Sequence, residues 1–232
     1  MNKKNIYKNI GCIPITNEIE MEAFFDEKVS LKEGFYSVAI NAEKIIRSDE
    51  DENFSKIVEE SIFPIPDGIA ALLMLKKKGF KAQKVDLPKF AIDYSAKKQL
   101  KLGLIGTTQE NNTLACSNLI KSFPTLNLFG VHGYLNNNSI IEKIREEKPN
   151  IILLGMGSPK QELLAKRIHH EFKSLIIINC GGAIDILSGK VKRAPKVIQY
   201  LNAEWLYRMI IQPRRIKRYL KLFRFLPIYF KA

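Results

Sequence analysis

The sequence has few cysteines and no long apolar run. Its three cysteines, Cys12, Cys116 and Cys180, are widely separated and form no Cys-x-x-Cys pair, which indicates neither a disulfide framework nor a zinc site. We therefore expect a reducing, cytoplasmic environment. No apolar stretch reaches the roughly 18 residues of a membrane-spanning helix, and the first residues show no signal-peptide pattern. Any contact with a membrane is expected to be peripheral.

Acidic residues are absent from segment 207–232, which contains eight basic residues. Apolar residues recur among them at helical spacing: Ile216, Tyr219, Leu220, Phe223 and Leu226. Such a pattern is typical of a helix that lies in the headgroup region of an anionic membrane. Two alternatives stay open: the basic face binds nucleic acid, or the apolar stripe packs on the rest of the protein. No base-reading or stacking motif occurs elsewhere in the sequence, which favours the membrane.

The size and charge of the chain limit its partners. With 232 residues, 46% of them hydrophobic, the chain can bury a full core. Its formal net charge of +13 favours anionic partners such as phosphates, nucleotides or lipid headgroups.

Short apolar runs alternate with helical patterns along the chain. The runs predict strands over 36–40, 102–105, 126–129, 151–154 and 175–178. The helical patterns fall at 53–61, 69–78, 110–121, 140–147 and 161–172. This alternation predicts an α/β, Rossmann-like parallel sheet with helices on both faces. A composition shift near Lys190 separates a body, 1–189, from a basic helical appendage, 190–232.

Ligands of such sheets bind beyond the carboxyl ends of the strands, which directs attention to four loops, those after Ile40, Ile105, Leu154 and Ile178. The loop Gly155–Glu162 reads GMGSPKQE and precedes a helix. Its glycines and the helix N-terminus suit an anion. Equally, Ser158, Pro159 and Gln161 fit the N-cap, N1 and N3 positions of a capping box.

The loop after the last predicted strand carries paired glycines and cations. Gly181 and Gly182 stand at the strand end, Asp185 follows, and Lys190, Lys192 and Arg193 supply positive charge. This combination suits a diphosphate and suits an ordinary tight turn nearly as well.

Several further polar residues have two interpretations. Asp67 stands between a strand-like segment and a helix, so it is either a general base or an N-cap, and Asn41 is ambiguous in the same way. Segment 48–51, SDED, formally contains the DxD pattern of metal-dependent transferases, but it precedes a helix and reads better as a solvated helix start. The three histidines, His132, His169 and His170, have no metal-ligand spacing and read as structural.

Taken together, these segments resemble the bacterial WecG/TagA/CpsF family of glycosyltransferases. The matching segments occur in the family's order across about residues 36–226: VAINAEK, DGI, GSPKQE, GGAID, GKVKRAP, and EWLYR through PRRIKR. The C-terminal run looks most like the branch that transfers N-acetyl-D-mannosaminuronic acid from UDP to undecaprenyl-diphosphate-GlcNAc for enterobacterial common antigen. The teichoic-acid branch is similar and uses UDP-N-acetylmannosamine.

The resemblance implies an inverting, metal-independent transfer, without a cofactor, on the inner face of the cytoplasmic membrane. It gives Asp67 the position of the proposed catalytic base, places Asn41 in the sugar or acceptor pocket, and matches Gln161 to a functionally important glutamine. Arginines of the appendage complete the active site. The residues expected to bind the UDP-sugar are Gly157, Ser158, Lys160, Gly181, Gly182, Asp185, Arg193, Arg208, Arg215 and Arg218.

Two departures from the family bear on the sugar that is transferred. Some relatives have Thr where this chain has Ala39, and a Gly-x-Asp-Leu segment of relatives reads KVDLPKF over 84–90 here. The expected partners are thus a UDP-N-acetylhexosamine or its uronate, the lipid-linked acceptor and an anionic membrane. No nucleic-acid partner is expected, and the sequence leaves open whether the protein forms a homo-oligomer. The alternatives are a UDP-N-acetylmannosamine transferase of teichoic-acid or capsule type, or a nucleotide- or nucleic-acid-binding regulator. A dehydrogenase is discounted because no G-x-G-x-x-G opens a helix.

Overall fold

A computed structural model describes residues 18–80, 85–195, 198, 207 and 221–231. Six strands form one sheet: β1 Phe35–Ile40, β2 Phe63–Pro66, β3 Leu102–Gly106, β4 Leu128–Val131, β5 Ile151–Gly155 and β6 Ile176–Asn179. Every pair is parallel, and the order across the sheet is β2-β1-β6-β5-β3-β4. Runs such as FYSVAI and IILLG are buried along their length because helices cover both faces of the sheet.

The helices fall into two layers. Among the described residues of the body, the helices are α1 Glu18–Ser30, α2 Ala42–Glu50, α3 Glu52–Glu60, α4 Ile69–Lys77, α5 Leu87–Lys97, α6 Gln109–Ser122, α7 Asn137–Glu147, α8 Lys160–Glu171 and α9 Ala183–Leu187. Helices α2, α3, α4, α7 and α8 pack on one face of the sheet in one apolar cluster. Helices α1, α5, α6 and α9 pack on the other face. The described residues therefore confirm the predicted α/β fold with helices on both faces.

The neighbouring strands β3 and β5 send the chain to opposite faces of the sheet. After β3 it enters α6 on one face, and after β5 it enters α8 on the other. The two strand ends approach so closely that a Cβ on Gly106 would stand 2.2 Å from the carbonyl oxygen of Gly155. A divergence of this kind opens a crevice at the carboxyl edge, which is where ligands of open α/β sheets bind.

Some boundaries differ from those that the sequence predicts. Strand β4 covers Leu128–Val131 rather than 126–129, and Gly130 lies inside it. A Cβ at Gly130 would meet Asn112 Oδ1 at 2.2 Å and Cys116 Sγ at 2.6 Å, so α6 can pack on this strand only where glycine stands. Helix α2 and helices α1 and α5 were not predicted, although Asp86 caps α5 and Pro88 follows at its first turn.

The described end of the appendage is helical and docks on the body. A 3₁₀ turn, Lys221–Arg224, leads into the C-terminal helix Phe225–Lys231. Phe225 is buried in the cluster that α2 and α4 share. Arg224 pairs with Glu50 at 2.9 Å, and Lys77 Nζ donates to the carbonyl oxygen of Tyr229 at 2.6 Å. Because Glu50 and Lys77 end their helices, this helix lies at the ends of α2 and α4 that are remote from the carboxyl edge of the sheet.

Within the described ranges, no helix is long and apolar enough to cross a bilayer.

Candidate active site at the carboxyl edge of the sheet

Asn41 and Asp67 lie side by side at the carboxyl edge. Asn41 directly follows β1, and Asp67 directly follows the neighbouring strand β2. The register pairs Ile40 with Pro66, and the Asp67 backbone N–H donates to the carbonyl oxygen of Ile40 at 2.7 Å. Both residues are half-buried. The sheet thus holds an amide and a carboxylate together where a ligand would bind.

The capping interpretation applies to one of these two residues. Asn41 is the N-cap of α2, and its side-chain oxygen accepts from the backbone N–H of Lys44 at 3.2 Å. The N-cap position of α4 is taken by Gly68, with φ of +84°, and not by Asp67. Asp67 is therefore not the N-cap residue that the sequence allowed it to be, and its role as a general base stays a prediction.

A buried ion pair joins α2 to α8 behind Asn41. Lys44 Nζ lies 2.9 Å from Glu162 Oε1 and donates to the carbonyl oxygen of Ala39 at 2.8 Å. The Glu162 side chain is fully buried and that of Lys44 is 6% exposed. Burying two charges costs free energy unless they pair and bond further, and this pair does both. Neither residue was predicted from the sequence to belong to the site.

Gln161 belongs to the same cluster. It is 2% exposed, and its Nε2 donates to Glu162 Oε1 at 3.0 Å. Its Oε1 and the second oxygen of Glu162 are buried, and neither has a hydrogen-bond partner among the described residues. We call Asn41, Lys44, Gln161 and Glu162 the Lys44 cluster. It connects two of the three predicted catalytic residues through a continuous chain of contacts.

The capping box predicted for the loop before α8 does not form. Helix α8 begins at Lys160, its N-cap is Pro159, and no side chain bonds to its first turn. Ser158 Oγ is buried without a partner in the described part of the chain, and Gln161 turns to Glu162 instead. The cap interpretation of Ser158 and Gln161 is wrong because a buried carboxylate competes for the glutamine amide. Lys160 Nζ reaches the carbonyl oxygen of Gly133 at 3.3 Å, and Gly157 is exposed with φ of +77°.

A second polar cluster lies where β3 and β6 end. The hydroxyl of Thr107 and the side-chain amide of Asn111 both donate to Asp185 Oδ1, the latter at 2.9 Å. Thr107 follows β3, Asn111 lies in the first turn of α6, and Asp185 lies in α9. All three are half-buried. We call them the Asp185 cluster; its Asp185 was predicted, while Thr107 and Asn111 were missed.

The remaining predicted donor-site residues are the glycines after β6, Arg193, and three arginines of the appendage. Gly181, half-buried, and Gly182, exposed, form the turn between β6 and α9. Arg193 Nη1 lies 2.6 Å from Asp86 Oδ2, and the Arg193 side chain is 42% exposed. Arg208, Arg215 and Arg218 fall outside the part of the chain that the structure describes, so their predicted roles are not tested.

The acidic segment 48–51 behaves as a helix boundary. Asp51 caps α3, accepting from the backbone N–H groups of Asn53 and Phe54 at 3.0 and 3.1 Å. The predicted helix start is confirmed for Asp51, whereas Ser48, Asp49 and Glu50 belong to the last turn of α2, where Ser48 is buried. Among the described residues, no group of three or more His, Cys, Asp and Glu side chains could hold a metal ion. Metal independence stays a prediction.

A cavity of about 610 Å³ opens between α3 and α8, away from both clusters. Tyr36, Glu60, Lys166 and His169 are among its lining residues, and none of the predicted site residues lines it. His169 packs against the Tyr36 ring with centroids 5.7 Å apart. Burial lowers the pKa of His169, and Lys173 adds to the shift, so a neutral structural imidazole fits this position.

Sequence reasoning missed Lys44 and Glu162 for a physical reason. Helix α2 reads AEKIIRSDE, in which a lysine is ordinarily solvated, and its partner stands far away in sequence. The one available signal was the spacing of Lys44 three residues after the Asn41 cap. Thr107 directly follows a predicted strand, so the carboxyl-edge rule alone would have indicated it.

One comparison with known proteins bears on this arrangement. The model of the "Glycosyl transferase WecG/TagA/CpsF family" matches residues 9–232 of the chain. The match includes both clusters at the carboxyl edge and the appendage.

Proposed function

The chain belongs to the WecG/TagA/CpsF family of glycosyl transferases, and we propose that it moves an N-acetylmannosamine-type sugar from UDP to undecaprenyl-diphosphate-linked GlcNAc. N-acetyl-D-mannosaminuronic acid is the proposed sugar, and an enterobacterial common antigen-like polysaccharide the proposed product. The observation that carries the proposal is the placement of Asn41 and Asp67 beside each other at the carboxyl edge, with Gln161 joined to Asn41 through Lys44 and Glu162.

Asp67 is proposed to act as the general base. Transfer of a sugar to a hydroxyl requires removal of the hydroxyl proton, which a positioned carboxylate performs. The proton passes from the acceptor hydroxyl to an Asp67 carboxylate oxygen while the acceptor oxygen bonds to the anomeric carbon. The bond from that carbon to UDP breaks in the same displacement, and UDP leaves with the electron pair. Attack from the face opposite UDP inverts the anomeric centre.

The departing UDP carries charge that the protein must stabilise. Guanidinium groups and backbone N–H groups bind a diphosphate through directional, charge-assisted hydrogen bonds. We assign this work to Arg208, Arg215 and Arg218, with Arg193, Lys160 and the glycine turns at 157 and 181–182 as further contacts. The Asp185 cluster suits a different part of the nucleotide: a carboxylate that already accepts from Thr107 and Asn111 repels phosphate and favours a hydroxyl or N–H donor.

A membrane-borne acceptor fits the surface of the C-terminal helix. Phe223, Leu226 and Phe230 recur on one side and are 68%, 49% and 75% exposed. Leu222, Phe225, Ile228 and Tyr229 pack on the body instead. An exposed apolar face next to Lys221 and Lys231 suits insertion into an anionic headgroup region at the cytoplasmic face. The alternative that the whole apolar stripe packs on the body does not account for the exposure of Phe223, Leu226 and Phe230.

UDP release tests the proposal directly. Purified protein is incubated with a short-chain prenyl-diphosphate-GlcNAc and a panel of UDP-N-acetylhexosamines and their uronates. The proposal expects release with the N-acetylmannosamine series and the largest kcat/KM with the uronate. A preference for UDP-N-acetylmannosamine itself would move the chain to the teichoic-acid or capsule type. If the folded protein released no UDP with any donor, the proposed function would be wrong.

A further inference from the structure

The two polar atoms of the Gln161 side-chain amide differ in their surroundings: Nε2 has a hydrogen-bond partner, whereas Oε1 has none among the described residues. Its Nε2 donates to Glu162 Oε1 at 3.0 Å. Glu162 is a carboxylate, which only accepts, and the same oxygen lies 2.9 Å from Lys44 Nζ, which only donates. Were the amide turned over, Gln161 Oε1 would face a carboxylate oxygen with no hydrogen between them. The ion pair thus fixes which end of the amide is free.

The free end is a buried acceptor. Gln161 Oε1 has no donor among the residues described, and neither has the second oxygen of Glu162. Buried carbonyl oxygens of native proteins nearly always accept a hydrogen bond. Gln161 lies in the first turn of α8, directly after the loop that follows β5, and its backbone N–H donates to the carbonyl oxygen of Gly157 at 2.9 Å. This places the residue at the carboxyl edge of the sheet, where ligands of open α/β sheets bind.

We propose that Glu162, held by Lys44, is a positioning residue that sets the amide of Gln161 so that its carbonyl oxygen accepts a hydroxyl or amide hydrogen of the bound sugar. The inference rests on the proposed function for the identity of the ligand. It assigns roles to Lys44 and Glu162, which touch the ligand only through Gln161. It also makes a statement about specificity: a sugar without that hydrogen leaves the carbonyl unpaired and is bound less well.

NMR spectroscopy can report the hydrogen bonding of the Gln161 side-chain amide without an assay of sugar transfer. In protein labelled with ¹⁵N-glutamine, the side-chain signals of Gln161 are identified by their loss in Gln161→Glu. The variant Lys44→Met/Glu162→Met replaces the pair with apolar side chains of similar length, a change that buried ion pairs often tolerate. We expect the downfield hydrogen-bonded amide proton of Gln161 to move upfield in the double variant. Unchanged signals in a folded double variant would overturn the positioning role.

Steady-state kinetics test whether the Gln161 carbonyl oxygen contributes to substrate specificity. Donors and a prenyl-diphosphate-GlcNAc acceptor are supplied intact and with single hydroxyl or amide hydrogens removed by deoxygenation or N-methylation. For the wild-type protein, one analogue should lose about 10- to 100-fold in kcat/KM. In Glu162→Gln and in the double variant, activity on the intact substrate should fall, and the penalty against that analogue should shrink to about threefold or less, because the amide can now present either end.

A matched control lies at the opposite edge of the sheet. Lys101 pairs with Glu147 at 2.7 Å near the start of β3, and Glu147→Gln removes that charge without touching Gln161. It should leave the amide signals and the analogue penalty unchanged. If folded Glu162 variants keep the wild-type penalty, the inference fails while the proposed function stands. If no donor releases UDP, the proposed function fails, and the spectroscopic result still decides the orientation of Gln161.

Discussion

At the scale of single residues, Asp67 is the sharpest test of the proposed chemistry. Because the side chains of Asp and Asn have nearly the same size, Asp67→Asn keeps the shape of the side chain and removes its basicity. We expect turnover to fall by roughly 10²–10⁴-fold with UDP affinity nearly unchanged. The measurement is steady-state UDP release together with UDP binding by calorimetry. Near-wild-type turnover by a folded Asp67→Asn protein would remove the general-base role.

His169 should make stability depend on pH. Its folded pKa is lowered by burial from the ordinary 6.5, so the unfolded chain binds a proton that the folded chain resists. The stabilising contribution is complete above about pH 6.5 and is lost as pH falls toward the folded pKa. Urea unfolding at pH 7.5 and pH 5.5 should show a drop that shrinks in His169→Phe, which keeps a ring against Tyr36.

The exposed neighbour His170 provides the control for this effect. His170→Phe should retain most of the wild-type drop in stability between the two pH values, because His170 is the smallest of the three causes that lower the pKa of His169. An equal drop in wild type and in His169→Phe would assign the pH dependence to other groups.

Whether a site residue could be predicted from the sequence depends on whether its role is visible in the neighbouring sequence. The carboxyl-edge rule indicated Asn41, because its loop follows a predicted strand. Asp67 was read from the sequence as either a general base or an N-cap, and only the family resemblance gave it the catalytic position. Lys44 and Glu162 were not, since their meaning arises only when α2 and α8 pack together and bury both charges. The capping box predicted at Gln161 did not form for a related reason. The ion pair with Lys44 holds Glu162 in the interior, and the Gln161 amide donates to this carboxylate instead of capping the helix.

At the scale of elements, the C-terminal helix has two apolar sides with different tasks. Phe225→Ala should lower the free energy of unfolding by about 3 kcal/mol, because the ring is buried against α2 and α4. Phe223→Ser, Leu226→Ser and Phe230→Ser should each change it by less than about 0.5 kcal/mol, since these side chains are exposed.

Liposome sedimentation separates the two sides further. The triple serine variant should bind anionic vesicles at least tenfold more weakly than wild type, because about 1.5–3 kcal/mol per large apolar side chain is no longer available for insertion. Wild-type vesicle binding by the folded triple variant would place the membrane contact elsewhere.

The elements also show where sequence patterns stop being sufficient. Buried parallel strands such as β5 were predicted almost to the residue because an uninterrupted apolar run has one good interpretation. Strand β4 was displaced by two residues because Gly130 reads as a break, whereas α6 requires a glycine there. Helix α2 was not predicted, although its cap, Asn41, was read as either a functional residue or an N-cap.

At the scale of the whole molecule, the net charge of +13 bears on how the leaving group is stabilised. If arginines rather than a metal balance the diphosphate, EDTA should leave UDP release essentially unchanged. Asp49→Asn/Asp51→Asn should also be tolerated, because Asp49 is exposed and Asn replaces Asp well as the cap of α3. Activity that is abolished by EDTA and restored by Mg²⁺ or Mn²⁺ would reverse the assignment.

The position of the C-terminal helix allows the two proposed tasks of the appendage to be separated. Residues 221–231 dock on α2 and α4 at Glu50 and Lys77, nine residues of helix away from the Asn41 cap, or about 13 Å. A chain ending at residue 220 should therefore lose vesicle binding and some stability, yet keep most of its activity on a water-soluble acceptor. A chain ending at residue 213 also lacks Arg215 and Arg218 and should lose that activity as well.

A point substitution in the full-length chain then separates the charge of Arg215 from the geometry of its guanidinium group. A guanidinium binds a diphosphate through two parallel hydrogen bonds that an ammonium does not reproduce, so Arg215→Lys should remain well below the wild-type rate even though the charge is kept. Vesicle binding by Arg215→Lys should be unchanged, because attraction to the membrane surface depends on charge. If the chain ending at 213 works at full rate on the soluble acceptor, the appendage serves only as an anchor, and the diphosphate must be bound by the body, from Lys160, Arg193 and the glycine turns.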